Sequence, residues 1–301
     1  MISIDVGYGN TKYYMDGEAG CFPSIYKVYS GVSYAPRTKE DMLLELDGQK
    51  YLIGETALNK DGEASFDKQS LLRHQLFVLA SICKATDEDY KGNITVGLPI
   101  GDMQSLSPML LKLKGKYEVK FNGKDRAIDV QKVKVLAQGE AIIHLLQSEV
   151  PVSDEVIGII DIGQKTVDFA WFRYGSYVEE RSGSVNFGMY NAWTEIAASM
   201  ARNFGIEEPE QYMVRKDLER FRRTKRKGIE AVEEDVEFNF KELAQSIRNR
   251  LLSRHWNFNE LDRLYVVGGG AYLLREFFSD APLQEFDHPE HANSIAFFEG
   301  A

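Results

Sequence analysis

Short runs of apolar β-formers alternate with segments of helical spacing along the 301 residues of the chain. Ile2–Val6 and Leu264–Val267 are such runs and predict buried strands. Residues 68–84 instead carry leucines every three or four positions, which predicts a helix. Further helices are predicted over residues 138–149, 191–204, 236–256, 271–278 and 291–299. Strands that alternate with helices indicate an α/β fold with mixed sheets.

One pattern occurs twice. The chain reads IDVGYGNTKYYMDG from Ile4 and IDIGQKTVDFAWFRYG from Ile160. In each copy apolar β-formers lead into an Asp, a Gly follows two residues later, and polar residues precede a second strand. Asp5 matches Asp161 in this alignment, and the following glycines match as well. Two glycine-rich hairpins of this kind predict a clamp that holds one polyphosphate from both sides, since glycine lets backbone N–H donors approach a phosphate closely.

Two other phosphate motifs fail on spacing. A P-loop requires Lys directly after its second glycine, but Gln164 follows Gly163. A dinucleotide fingerprint requires a third glycine where Lys12 stands, and both loops lead into a strand rather than a helix. Either hairpin alone is readily an ordinary turn, so the prediction depends on their pairing.

The aspartates Asp5 and Asp161 end buried strands, where a carboxylate is costly without a cation or hydrogen-bond donors. One interpretation is a pair of metal ligands for Mg²⁺, which commonly binds through one or two carboxylates, phosphates and water. The alternative is that each Asp caps its own turn. Lys12 is either a phosphate contact or an exposed strand lysine. The triplet Gly268–Gly270 follows a strand and would let a base and ribose pack against backbone, whereas a simple turn needs one glycine.

Composition narrows the function classes. The formal net charge of −10 disfavours broad coating of nucleic acid. The two cysteines, Cys21 and Cys83, have no metal-ligand spacing, and we expect both to pack as small hydrophobic side chains. No basic leader or long apolar stretch begins the chain, so we expect a cytoplasmic protein without a membrane span. A basic segment, Arg215–Lys227, precedes an acidic one; a charge-paired helical hairpin is favoured over a filament, adaptor or DNA contact.

These motifs together resemble the actin-like ATPase superfamily, which includes actin, heat-shock ATPase chaperones and sugar kinases. IDVGYGNTK and IIDIGQKTVDF resemble its two phosphate motifs, LYVVGGGAYLL its adenosine motif, and VKVLAQGEAII and HANSIAFFEGA its two connecting helices. ITVGLPIGD and the C-terminal Ala292-Asn293 are similar to the plasmid-segregation proteins of the ParM type in bacteria and archaea. The second phosphate motif departs from the family at Gln164-Lys165, where small residues are more usual.

The resemblance implies an actin-like, ribonuclease H-like two-domain fold with ATP and Mg²⁺ in an interdomain cleft. Domain I would span residues 1–150, with a small lobe at about 30–66, and be completed by 285–301; domain II would span 151–284. Gln138 would orient the attacking water, with Glu140 as the competing candidate and Asp161 as the metal carboxylate. The implied nucleotide contacts are Asp5, Gly7, Gly9, Asn10, Thr11 and Lys12 in the first loop, Asp161, Gly163, Gln164, Lys165 and Thr166 in the second, and Gly268, Gly269 and Gly270.

The implied function is ATP hydrolysis that controls assembly of a homopolymer filament for plasmid or DNA segregation, with a DNA-binding adaptor as a possible partner. A metabolic kinase of the same fold would need a carboxylate base, for which Asp102 or Asp168 could be proposed, but neither lies in a sugar-binding pattern. A chaperone-like ATPase and a nucleotide-binding scaffold are further alternatives. The preference for ATP over GTP rests on the family alone.

Overall fold

A computed structural model describes residues 1–31, 38, 40–60, 62–64, 69–149 and 154–300. The chain divides into two compact units. The first comprises Met1–Val150 with His291–Ala301, and the second comprises Pro151–Glu290. Residues 285–290 belong to the second unit rather than the first, where the sequence places them, because the Gly268 N–H donates a 2.8 Å hydrogen bond to the Pro289 carbonyl. The lobe predicted at about 30–66 falls partly outside the described residues.

The first unit is built on a ten-stranded mixed sheet. Its strands are β1 Ile2–Val6, β2 Asn10–Met15, β3 Glu18–Pro23, β4 Ile25–Val28, β5 Met42–Leu46, β6 Gln49–Ile53, β7 Glu63–Ala64, β8 Tyr90–Leu98, β9 Gly115–Phe121 and β10 Lys124–Ala137. They lie in the order β3-β2-β1-β8-β10-β9-β5-β6-β4-β7. Strand β1 pairs antiparallel with β2 and parallel with β8, so it joins the first predicted hairpin to the parallel part of this sheet.

The helices of this unit cover the sheet. They are α1 Glu55–Leu58, α2 Leu71–Ala85, α3 Met103–Leu110 and α4 Ile142–Glu149. Ser70 caps the N-terminus of helix α2, because its hydroxyl oxygen accepts a hydrogen bond from the Arg73 backbone N–H. Its Phe77 and Leu79 pack into the core formed by the strands. Burying side chains of this size stabilises the unit by about 1.5–3 kcal/mol each.

The second unit repeats the local arrangement with a six-stranded sheet. Its elements are β11 Val156–Ile162, β12 Val167–Arg173, β13 Ser176–Tyr177, β14 Gly183–Val185, α5 Met189–Phe204, α6 Gln211–Arg223, α7 Ile229–Ser253, β15 Arg263–Val267, α8 Ala271–Leu274 and β16 Leu283–Gln284. Strand β11 pairs antiparallel with β12 and parallel with β15, as β1 does with β2 and β8. The two units therefore share a hairpin whose first strand also pairs with a later parallel strand.

A last helix, α9 Ala292–Glu299, belongs to the first unit. The Ser3 hydroxyl of β1 donates a 2.5 Å hydrogen bond to the Ser294 carbonyl. Phe297 is fully buried and lies so close to Gly97 of β8 that a side chain at that glycine would overlap its ring. The C-terminal segment is therefore packed against the same strands that carry the first hairpin.

Two predicted helix boundaries and the predicted burial of one cysteine are wrong. The helix predicted from residue 138 starts at Ile142, because Gly139 has a φ of 73° that no helix continues through. The long helix predicted over 236–256 already begins at Ile229, directly after Gly228 with its φ of 91°. Cys21 is exposed on β3, whereas Cys83 is buried as predicted. Among the described residues, no helix combines the length and apolarity needed to cross a membrane.

Candidate functional site

The first loop, which the sequence predicts to bind phosphate, comprises residues 7–10, between the paired residues Val6 and Thr11. Val6 pairs with Thr11, so four residues make the turn. A Cβ built on Gly7 would lie 2.5 Å from the carbonyl oxygen of Asn10, closer than any side chain is tolerated. The glycine at this position therefore has a steric cause, namely the closeness of the loop's own backbone.

The second loop, residues 163–166 between β11 and β12, has the same construction. Ile162 pairs with Val167, again leaving four residues in the turn. The Gly163 N–H donates a 2.9 Å hydrogen bond to the Thr166 carbonyl, and a Cβ on Gly163 would lie 2.9 Å from that same oxygen. Gly7 and Gly163 thus occupy equivalent positions, as the sequence alignment predicts, and Lys165 stands where the first loop has Gly9.

Asp5 lies under the first loop and is 3 % exposed. The Gln138 side chain donates a 2.6 Å hydrogen bond from Nε2 to Asp5 Oδ1. The Lys12 ammonium lies 3.9 Å from the other carboxylate oxygen, since Lys12 is the cross-strand partner of Asp5. Three residues that the sequence assigns to one site, Asp5, Lys12 and Gln138, are therefore in contact.

The sequence predicts that Gln138 and Glu140 open a helix. In the structure they instead lie in the turn that follows β10. The Gln138 N–H donates to the Leu98 carbonyl, and the Gly139 N–H donates to the Asn293 side chain at 3.0 Å. Burial raises the pKa of Glu140, an effect that His144 partly opposes. Of these two candidates, Gln138 is the one whose side chain is seen to contact Asp5.

Asp161 lies under the second loop and is 5 % exposed. Its cross-strand partner is Asp168, which is 1 % exposed, so the two carboxyl groups leave the same face of the sheet. Two buried carboxylates in one cross-strand pair are costly unless a cation or donors compensate them. In the sequence analysis, Asp168 is a candidate only for a kinase base. Its place opposite Asp161 could have been found from the sequence, because Asp161 lies two residues before the four-residue loop and Asp168 lies two residues after it.

The glycine triplet lies beside Asp161. Gly268 has a φ of 85°, and a Cβ on it would overlap the Asp161 Oδ1 atom. The Gly270 N–H donates a 2.9 Å hydrogen bond to the Ile162 carbonyl, whereas Gly269 is exposed, with space around it for a Cβ. The triplet therefore packs directly against the end of β11, and Gly268 and Gly270 are the two glycines that permit this close contact.

The N-terminus of α5 holds the second loop. The Met189 and Tyr190 N–H groups donate to the carbonyls of Gly163 and Gln164 at 3.1 and 2.7 Å. The Lys165 ammonium lies 4.4 Å from the centre of the Tyr190 ring, and burial lowers the pKa of this lysine. The sequence pattern predicts a helix here but not its contact with the second loop, because that contact depends on how α5 packs on the sheet.

The chemistry of the donor set fits Mg²⁺. Asp5 and Asp161 are both buried carboxylates, and a carboxylate oxygen is a ligand of the kind that Mg²⁺ prefers. Over the described part of the chain, no group of three or more His, Cys, Asp or Glu side chains could enclose a metal by itself. A metal at Asp5 or Asp161 would therefore take its remaining ligands from phosphate and water, as Mg²⁺ commonly does.

The charged segment forms a helical hairpin from α6 and α7, which is the interpretation that the sequence favours. Arg222 pairs in a bidentate manner with Glu233, at 2.5 and 2.8 Å. Phe221 packs its ring 4.7 Å from that of Phe204. The apolar face of α6 is thus buried on α5, while its charged residues face solvent or each other.

Two protein-family descriptions match the chain. One, the N-terminal domain of actin-like proteins, matches residues 3–140. The other, the C-terminal domain of archaeal MreB-like actin homologues, matches residues 159–280. Together they cover most of both units. No curated protein sequence matches the chain.

Solved structures match over almost the whole chain. The archaeal actin homologue Ta0583 matches at a TM-score of 0.82 and 20 % identity, over 99 % of this chain and 98 % of the other. Its complex with ADP matches at 0.80 and 21 %, over 99 % and 98 %. A subunit of a 15-stranded ParM filament from Clostridium botulinum matches at 0.81 and 21 %, over 99 % and 97 %. Identities at this level indicate a shared fold.

Proposed function

The chain belongs to the actin-like proteins, and on that basis we propose that it is an ATPase that assembles into filaments under the control of its bound nucleotide. The observation that carries the proposal is the equivalence of the two loops at Gly7 and Gly163, each followed by a hairpin strand and preceded by a buried Asp. Either hairpin alone could be an ordinary turn, but the same construction in both units is much harder to explain in that way.

In this proposal both loops bind the phosphates of one ATP, with Mg²⁺ held through Asp5 and Asp161. The backbone N–H groups of the loops would donate to phosphate oxygens, and Lys12 would add a positive charge beside Asp5. The glycine triplet would accept the adenosine, because Gly269 has open space around it. Asp168 joins the proposed site through its pairing with Asp161.

Hydrolysis would depend on positioning and charge stabilisation, as phosphoryl transfer generally does. Bound Mg²⁺ would neutralise charge on the phosphates. The Gln138 amide already donates to Asp5, which leaves its carbonyl oxygen as an acceptor for a proton of the attacking water. Glu140 would then act through the turn that carries Gln138 rather than on the water itself.

The filament part of the proposal draws on the similar structures. Besides the Clostridium botulinum ParM filament, these include the Alp12 filament, at 15 % identity and a TM-score of 0.70, and the AlfA filament from the B. subtilis plasmid pLS32, at 19 % and 0.67. We propose the same behaviour here, with the cytoplasm as the location and a DNA-binding adaptor as the link to cargo. The kinase alternative is not favoured, because the similar structures include filaments of actin-like proteins.

Sedimentation with Mg-ATP, ADP or no nucleotide tests the proposal. We expect ATP to drive the protein into the pellet and phosphate release to accompany the later loss of polymer. Asp161→Ala should abolish both phosphate release and its effect on the pellet, whereas Asp125→Ala, at a highly exposed carboxylate, should change neither. If ATP leaves the particle size unchanged at every practical protein concentration, the filament proposal is wrong. Phosphate transfer to an added sugar would favour the kinase.

A further inference from the structure

A buried cation outside both sequence motifs contacts the first phosphate loop. Arg73 lies in the first turn of α2 and is 0 % exposed. Its Nη2 donates a 2.7 Å hydrogen bond to the carbonyl oxygen of Gly7. The guanidinium carbon lies 5.1 Å from the centre of the Phe77 ring. Because burying a guanidinium is costly, its placement against a loop carbonyl requires an explanation.

In the second loop, the equivalent carbonyl accepts its hydrogen bond from a different kind of donor. The Gly163 carbonyl, equivalent to that of Gly7, accepts its hydrogen bond from the Met189 N–H at the start of α5. In the first loop the Gly9 carbonyl is also held, by the Ser24 N–H at 2.9 Å. Both loops thus have the carbonyl of their first glycine fixed by a donor from outside the hairpin, and in the first loop a guanidinium replaces the helix N-terminus.

Fixing that carbonyl also fixes the next N–H group. A trans peptide is planar, and its C=O and N–H point in opposite directions. The described residues contain no cis peptide bond. Since the Gly7 carbonyl points to Arg73, the Tyr8 N–H points away from it. An anion is attracted by N–H groups and repelled by carbonyl oxygens, so this orientation is the one that suits a phosphate.

We propose that Arg73 is a positioning residue of the first phosphate loop: it holds the Gly7 carbonyl and so orients the Tyr8 N–H toward a bound phosphate. This inference rests on the proposed function, since it assumes that the loop binds phosphate. A peptide free to rotate would present its carbonyl oxygen to the phosphate for part of the time, and the affinity would be reduced to the fraction of time in which the N–H group faces the phosphate.

The test compares nucleotides that differ only in phosphate number. Arg73→Lys keeps the charge and loses the planar fork, while Arg73→Gln loses both. The matched control is Arg126→Gln, because Arg126 is also buried, at 5 % exposure, in the same unit but on β10 opposite Val119. Calorimetric titration with Mg-ATP, Mg-ADP and AMP gives the affinity of each variant, and thermal melting reports its stability.

We expect both Arg73 variants to lose about tenfold in affinity for ATP and ADP, as expected if the Tyr8 N–H then faces the phosphate for roughly a tenth of the time, with little change for AMP. The Arg126→Gln control should lose stability but keep the wild-type ratio of ATP to AMP affinity. Equal losses for all three nucleotides, or wild-type ATP affinity in both Arg73 variants, would overturn the inference. If the wild-type protein itself binds ATP no more tightly than AMP, it is the proposed function that fails.

A measurement on the wild-type protein guards against variants that do not fold. In protein labelled with ¹⁵N-tyrosine, the Tyr8 amide resonance is identified by its loss in Tyr8→Phe. We expect this resonance to shift on addition of Mg-ADP and to stay in place on addition of adenosine. An unmoved Tyr8 resonance at saturating ADP would refute the orientation that we propose for this N–H group.

Discussion

Replacing Gly268 by Ala tests whether the glycine triplet packs directly against Asp161. Two costs add in this variant. A φ of 85° is unfavourable for alanine, by about 1–2 kcal/mol. The new Cβ would overlap Asp161 Oδ1 and lie 2.7 Å from the Ile162 carbonyl oxygen, and overpacking of this kind costs about 1–3 kcal/mol. We therefore expect the free energy of unfolding of the second unit to fall by about 2–5 kcal/mol.

The neighbouring glycines supply matched controls. Apart from Gly269 itself and its two chain neighbours, no described residue has an atom within 4 Å of a Cβ built there, so Gly269→Ala should change stability by less than about 0.5 kcal/mol. Gly270→Ala should be intermediate, because its Cβ would approach the Ile162 and Met189 side chains, at 2.5 and 2.9 Å, and side chains can move.

Urea denaturation followed by tryptophan fluorescence measures this series well. All three tryptophans, Trp171, Trp193 and Trp256, lie in the second unit, so the signal reports that unit. The order of midpoints should be Gly269→Ala, then Gly270→Ala, then Gly268→Ala as the lowest. A Gly268→Ala midpoint equal to that of Gly269→Ala would refute the reasoning, because both the strain and the contact with Asp161 would then be absent.

Three further predictions concern other parts of the chain. Burial raises the pKa of Glu140 above its ordinary 4.5, so the stability it contributes is present below pH 4.5 and is lost as pH rises; Glu140→Gln should raise the melting temperature at pH 8 and not at pH 4. Gly188→Ala would place a Cβ 2.6 Å from the Gly163 carbonyl oxygen and should cost about 1–3 kcal/mol in urea denaturation. The exposed Arg222–Glu233 pair should give a coupling energy below about 1 kcal/mol in a double-mutant cycle, decreasing with added salt. No pH dependence, an unchanged midpoint and a larger, salt-independent coupling would contradict the three in turn.

The sequence predicts those features that local chemistry determines. The strand Ile2–Val6 has the predicted bounds, and the actin-like fold is confirmed by solved structures that match over nearly the whole chain. The loop glycines could be found because steric crowding by their own hairpin leaves no alternative residue, as the 2.5 Å approach at Gly7 demonstrates. Their part in binding a nucleotide stays a prediction.

Features that depend on packing between distant segments were not predictable. Arg73 reaches Gly7 from a helix more than sixty residues away, and no local pattern marks that contact. The helix at Ile142 starts late because Gly139 turns the chain, which allows Gln138 to reach Asp5. Tyr190 meets Lys165 only through the packing of α5 on its sheet. Each of these contacts follows from tertiary structure, whereas periodicity reports only local structure.

The central claim is that the two loops bind a single nucleotide. Equilibrium titration with a fluorescent ATP analogue measures it directly in wild-type protein, Gly7→Ala and Gly163→Ala. We predict one nucleotide per chain in the wild type and weakened binding at that one site in either variant. A wild-type stoichiometry of two, or full affinity in either glycine variant, would contradict the account.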